Sequence, residues 1–261
     1  MRFPGQVTDS DNGSGVTRTV IVFGARRGLS AISLIYRIGR AGAMNRRQLT
    51  VALALASACI FVASCSRGTH PPAAADALDG VLLSPAEINS AMGATGITVN
   101  GTSTAMSDDS ANIPDKDCRF IDPPPETSVY DGSGWTAVHS QHLREPVDDF
   151  DHEVWQAVVS FPSANDAGHF FAASVQRWPA CSNRQYHYID PGKPDVVFTV
   201  GPIVKIGDTL STTREGGEGS ACERALTVSD NIAIDVAACP NNPGNTAVNI
   251  AHQIAAKVAK L

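Results

Sequence analysis

The sequence has no apolar run long enough to cross a membrane. Its longest, Leu49 to Val62, covers 14 residues, against the roughly 18–20 that a spanning helix needs. Cations are scarce after the first quarter of the chain. Eight of the 20 Lys and Arg precede Cys65, but only two of the 26 Asp and Glu do, so the segment from Cys65 onward carries 12 cations against 24 anions, a net charge of −12. Nucleic acid and anionic headgroups both repel such a surface, which excludes them as partners. No Cys-x-x-Cys pair occurs among the six cysteines, so no clasp of that type for a metal is available. There is no Gly-x-Ser-x-Gly elbow; Ser133, in Gly132-Ser133-Gly134-Trp135, reads as a turn into a strand. The segment Val20 to Leu29 has two glycines where a dinucleotide fingerprint needs three and a following βαβ unit. His139 and His142, three apart on a strand, point to opposite faces and make a poor metal pair. Asp148, Asp149 and Asp151 lack the glycine and the closing glutamate of a calcium loop and read as a solvated turn. The sequence therefore names no catalytic residue, no metal site and no cofactor.

What is present begins near Met44. Asn45-Arg46-Arg47 is a basic start, Leu49 to Val62 is a short apolar stretch, and Val62-Ala63-Ser64-Cys65 ends it with small residues before a cysteine. That order is a secretory signal peptide, and the closing cysteine resembles a bacterial lipobox. The resemblance implies that residues 44–64 are removed and that Cys65 is acylated. The expected location is the cell membrane, lipid-anchored on its extracytoplasmic side, with the acyl chains as the membrane contact. Residues 1–43 then precede the signal and read as a non-native N-terminal extension. Residues 65–80, with Pro71-Pro72 and Ala73-Ala74-Ala75, have tether composition.

Cys59 leaves with the signal peptide and Cys65 is acylated, so four cysteines remain: Cys118, Cys181, Cys222 and Cys239. An even number in an exported domain points to disulfides. Glu223–Ser229 and Ile232–Ala238 read as two strands around Asp230-Asn231, whose residue types tolerate positive φ. In that register Cys222 faces Cys239 in a non-hydrogen-bonded pair, within disulfide range. Cys118–Cys181 follows by elimination.

Ser84-Pro85-Ala86-Glu87 is a capping box with proline at the first helical position, so a short helix spans about 85–92 and ends at Gly93. Strands are expected at 97–104, 135–143, 153–161, 184–189, 195–200 and 202–212, with the 222–239 hairpin after them. The 153–161 strand is apolar on both faces, the mark of a central strand. Ser163 caps a helix with Ala167, Phe170, Phe171, Val175 and Trp178 at helical spacing, and Asn242-Pro243 opens a terminal one. Consecutive strands with few helices predict an α+β fold over residues 81–261: a single domain, a twisted, mostly antiparallel sheet with the helices packed on one face, and two disulfides. Trp135, Trp155 and Trp178 are assigned to the core.

Several runs carry a family resemblance. They include Gln156-Ala157-Val158-Val159-Ser160-Phe161-Pro162-Ser163-Ala164, Trp178-Pro179-Ala180-Cys181, Cys222-Glu223-Arg224-Ala225-Leu226 and Ile234-Asp235-Val236-Ala237-Ala238-Cys239. In order and spacing the chain from about residue 80 to 261 resembles the extracellular sensor domain of mycobacterial PknH-type kinases and its lipoprotein relatives. The resemblance implies two sequential disulfides and a solvent-filled cleft that binds a ligand. It does not extend to a kinase, because no Gly-rich loop with a strand lysine, His-Arg-Asp or Asp-Phe-Gly is present. The function expected is non-enzymatic: binding of a small molecule or an envelope fragment, with a protein-interaction module for an envelope partner as the rival reading. With both long helices on one side, the uncovered sheet face supplies the ligand site. Its polar candidates are His139 and Gln141 on one strand face, Arg144 just beyond, and Tyr186 and Tyr188 on a later strand.

Overall fold

The structure is a computed structural model that describes residues 78–148, 150–216, 221–240 and 244–261. The extension, the signal peptide, Cys65 and most of the 65–80 tether lie outside the described residues. Leu78 is already fully buried, with Val81, Leu82 and Leu83 behind it. Helix α1 (Pro85–Met92) has the anticipated capping box: the Ser84 N–H donates to Glu87 Oε2 at 2.7 Å, and Ser84 Oγ accepts from the Glu87 N–H. Gly93 closes it at φ 68°, a left-handed position that suits glycine.

Among the described residues nine strands form one antiparallel sheet. They are β1 (Thr98–Ser103), β2 (Ala137–Arg144), β3 (Glu153–Ser160), β4 (Gln185–Tyr188), β5 (Val196–Val200), β6 (Val204–Ile206), β7 (Thr209–Glu215), β8 (Ala221–Ser229) and β9 (Ile232–Cys239). Their order is β1-β2-β3-β9-β8-β7-β5-β4, with β6 paired to β7. The helices are α2 (Thr127–Tyr130), α3 (Ala164–Arg177) and α4 (Thr246–Val258), in addition to α1. Two 3-10 turns, Lys116–Ile121 and Trp178–Cys181, carry two of the cysteines. Cys118–Cys181 and Cys222–Cys239 are both bonded. The second pair sits 4.0 Å apart at Cα, as close as opposed residues of a non-hydrogen-bonded pair come. In the hairpin turn only Asp230 takes a positive φ, of 52°. Asn231 instead donates from its side-chain amide to the Phe161 carbonyl at 2.8 Å.

The fold is the expected α+β sheet with two disulfides, but the long helices do not share a face. α4 packs Ala247, Ile250, Ala251, Ile254 and Val258 with Val154, Val158, Ile234 and Val236. α3 packs Ala167, Phe170 and Phe171 with Val159, Leu226 and Ala233. Successive strand residues point to opposite faces, so the two helices lie on opposite sides of the sheet. The central strands dictate this. β3 and β9 are apolar on both faces, and each face needs its own cover.

Candidate functional site

The face opposite α4 is only partly covered by α3. Beyond α3 lies the long segment from Ser103 to Tyr130, and between it and strands β2, β3, β5 and β7 is a cleft of about 650 Å³. The far wall is built from Asp122 and Pro123 to Pro125. The sheet side presents His142, Trp155, Tyr188, Phe198 and Arg214. All five point the same way by strand parity.

A buried charge network sets the far wall. Arg224 on β8 and Asp235 on β9 form an ion pair at 2.7 Å, each only 1% exposed. Tyr130 OH donates to the same Asp235 oxygen at 2.8 Å. Arg224 Nη1 donates to the Asp122 carbonyl. One guanidinium thus ties the loop to the sheet directly at Asp122, and through Asp235 at Tyr130. A buried pair of this kind costs desolvation, but removing one member leaves a bare buried charge.

Across the cleft, His142 stacks on Trp155 with ring centroids 4.7 Å apart and planes 6° apart. The Asn100 amide donates to His142 Nδ1 at 3.0 Å. Nε2 therefore carries the proton and donates to Glu153 Oε1 at 2.6 Å. The pair is a flat, oriented platform. At the other end, Arg214 Nη1 donates to Tyr186 OH at 3.3 Å, and the guanidinium lies 4.9 Å over the Phe198 ring. It faces Asp122 Oδ1 at 3.8 Å. Gly201 makes room at this end. A Cβ there would meet Thr213 Oγ1 at 2.4 Å and force that side chain to move, so glycine suits the close approach of the end of β5 to β7.

Asp122 lines the cleft and is 3% exposed. Burial pushes its carboxyl up to about 7; Arg214 opposes that shift, while Asp109 and Glu126 add to it. Oxygens of Asp109, Asp122 and Glu126 lie within 4.8 Å of one another, the one group of this kind among the described residues. Glu126 is already taken up, accepting from the Asp109 and Ser128 N–H groups at 3.0 and 3.3 Å. Arg214 supplies a positive charge beside Asp122. The wall offers acceptors to hydroxyls or cations next to one fixed guanidinium fork.

Of the five residues selected from sequence, Tyr188 lines this cleft; Gln141 borders it, but its side chain points to the α4 side, where Oε1 accepts from Gln156 Nε2 at 3.1 Å. Tyr186 is buried behind it and reaches the site through Arg214. His139 lies on the α4 side, with Nε2 3.1 Å from Asp79 Oδ1 but off the line a hydrogen bond needs. Arg144 sits 4.6 Å over the Phe150 ring and donates to the Val147 carbonyl at 3.1 Å. The structure thus divides the five between two faces. Trp178 is core, as anticipated, but Trp155 is a cleft wall and Trp135 is exposed. Arg214 was missed because the 202–212 run reads as one strand. Gly207-Asp208 in fact turns it into β6 and β7, and β7 continues to Glu215. The alternation Leu210, Thr212, Arg214 was the available signal.

The model of the PknH-like extracellular domain matches residues 73–257. The serine/threonine-protein kinase PknH of Mycobacterium bovis is 31% identical over 216 residues, which cover 81% of this chain and 36% of that protein. PknH of Mycobacterium tuberculosis matches at the same identity and covers 34% of its length. The crystal structure of the extracellular domain of PknH from Mycobacterium tuberculosis superposes with a TM-score of 0.70 at 30% identity, covering 74% of this chain and all of that one. The chain belongs to the PknH-like extracellular domain family. It spans about a third of the length of the curated relatives it matches. The family is one of extracellular domains, which agrees with the extracytoplasmic location expected from the sequence. Among the described residues no helix is long and apolar enough to cross a membrane.

Proposed function

We propose that this PknH-like domain is held to the outer side of the cell membrane by acylated Cys65 and binds a small molecule or envelope fragment in the cleft. The observation that carries this reading is the cleft itself. About 650 Å³ of space is walled by a stacked aromatic platform on one side and by Asp122 and Arg214 on the other. Ligand sites combine apolar walls with a few fixed polar groups in this way. The ligand class is a ring-bearing polar molecule such as a glycan fragment. Its apolar face lies on His142 and Trp155, and its hydroxyl or anionic groups meet Asp122 and Arg214. No covalent step is required of any residue.

Titration of the full chain with envelope glycan fragments, followed by calorimetry, tests the reading. Trp155→Ala and Arg214→Ala should each weaken binding at least tenfold while the fold is kept, and Arg144→Ala should leave it unchanged. Wild-type chain that binds no fragment would move the weight to an envelope protein partner. The anchor is tested separately. Cys65→Ala should abolish partitioning into detergent; partitioning that survives the substitution removes the anchor.

A further inference from the structure

A second cavity, of about 310 Å³, shares no lining residue with the cleft. It lies between the Lys116–Ile121 turn, α2, the end of α3 and the Trp178–Cys181 turn. Its apolar wall is the Phe120 ring stacked on Trp178, with centroids 4.4 Å apart. Its rim carries Lys116, Arg119 and Arg177. The acid among its lining residues, Asp117, faces Arg184 at 3.5 Å. Arg119 is fixed in place, donating from Nε and Nη2 to the carbonyls of Ile113 and Ser110, both at 3.0 Å. Lys116 and Arg177 form no ion pair among the described residues. Ser128 lines the cavity, and its hydroxyl oxygen is shielded from solvent with no hydrogen-bond partner.

Each of these features is unusual alone, and together they have one chemical reading. From Cys65 onward the chain has twice as many anions as cations, yet three cations gather around one apolar hole. A buried hydroxyl without a partner forfeits a hydrogen bond until something polar enters. The Cys118–Cys181 bond covalently joins the two turns that carry the Phe120–Trp178 wall.

We propose that this cavity binds an anionic amphiphile: one carboxylate, sulfonate or phosphate on an aromatic or short aliphatic body. The body packs on Phe120 and Trp178, where burial of apolar surface drives association. The head group sits between Lys116 and Arg177, which supply charge-assisted hydrogen bonds. Rotation of the Ser128 side chain toward that group gives its hydroxyl the missing partner. This inference stands apart from the glycan reading of the cleft, because none of its residues is shared.

The probe is 8-anilinonaphthalene-1-sulfonate, an aromatic sulfonate that fluoresces when desolvated, titrated into the full chain. Wild type should bind it saturably at one site. Lys116→Glu with Arg177→Glu should weaken binding at least tenfold, while Arg177→Lys retains most of it. Trp155→Ala, in the cleft, should leave it unchanged. A comparison needing no variant is the uncharged analogue N-phenyl-1-naphthylamine, which should bind wild type at least tenfold more weakly than the sulfonate. The proposal is overturned by absence of saturable binding, by equal affinity for the two probes, by charge reversal without effect, or by loss of binding in Trp155→Ala.

Discussion

The two faces of the sheet are built from different materials. The face under α4 is aliphatic: Leu83, Ile88, Val154, Val158, Ile234, Val236, Ile250 and Ile254 are all essentially inaccessible to solvent. The face under α3 is aromatic and charged: Phe120, Tyr130, Phe161, Trp178 and Tyr186 pack in its core, and Tyr130 bonds the buried Arg224–Asp235 pair. The aliphatic face gains stability from area and close packing, which are not directional. The other face fixes positions, because hydrogen bonds and ring stacks have geometry. Both cavities lie on that second side, where loops and short turns complete the cover that α3 leaves open. A dry face and a site-bearing face thus share one set of central strands, and β3 and β9 serve both by alternation.

The sharpest test of this contrast is Arg224→Met. It should cost about 3–5 kcal/mol, because Asp235 is left charged and buried without its partner. The double variant Arg224→Met/Asp235→Leu should recover a large part of that loss. Urea denaturation measures both. A single variant as mild as a surface change would mean that the loop is held to the sheet by other contacts.

On the aliphatic face, Ile234→Ala should cost about 3 kcal/mol through lost burial and the cavity it leaves. Glycan binding by the folded fraction should be unchanged, since α4 and its packing do not touch the cleft. Calorimetry on the variant reads both quantities. Weakened binding would show that the two faces are coupled through β9.

The smallest effect concerns pH. Glu223 on β8 points to the aliphatic side and accepts the Ala247 N–H at 2.7 Å, where Asn245 provides no side-chain cap for α4. Burial raises its carboxyl from 4.5 to about 7, and the backbone N–H groups of Ala247 and Val248 oppose the shift. As pH rises from about 4.5 the unfolded chain releases this proton while the folded chain keeps it. Its contribution to stability therefore falls until about pH 7 and then levels. With the helix start partly open to solvent screening, the expected loss is about 1–2 kcal/mol. Glu223→Gln keeps the acceptor and removes the charge, so the difference between variant and wild type isolates this group from Asp122. Thermal unfolding between pH 4.5 and 7.5 should show a shallower slope in the variant, and equal slopes would discard the assignment.

Local chemistry settled a great deal before any tertiary contact formed. The capping box at Ser84, the serine cap at Ser163 and the register of the 222–239 hairpin each depend on residues close in sequence. Hydrogen-bond reach and period-2 alternation are enough to place them, and with the hairpin the Cys222–Cys239 pair. The family motifs were equally local runs in a fixed order. Three things were decided by the tertiary structure. Which face each helix covers depends on how β9 inserts between β3 and β8, a pairing across 70 residues or more that no local pattern encodes. The cleft residues Asp122, Trp155 and Arg214 come from a loop and two strands far apart in sequence, and each alone reads as loop, core or surface. The pairing of Arg224 with Asp235 is close in sequence, but its burial follows from the Asp122–Tyr130 segment closing over it. Local periodicity fixes which way a side chain points within its own element; only long-range packing fixes what it then meets.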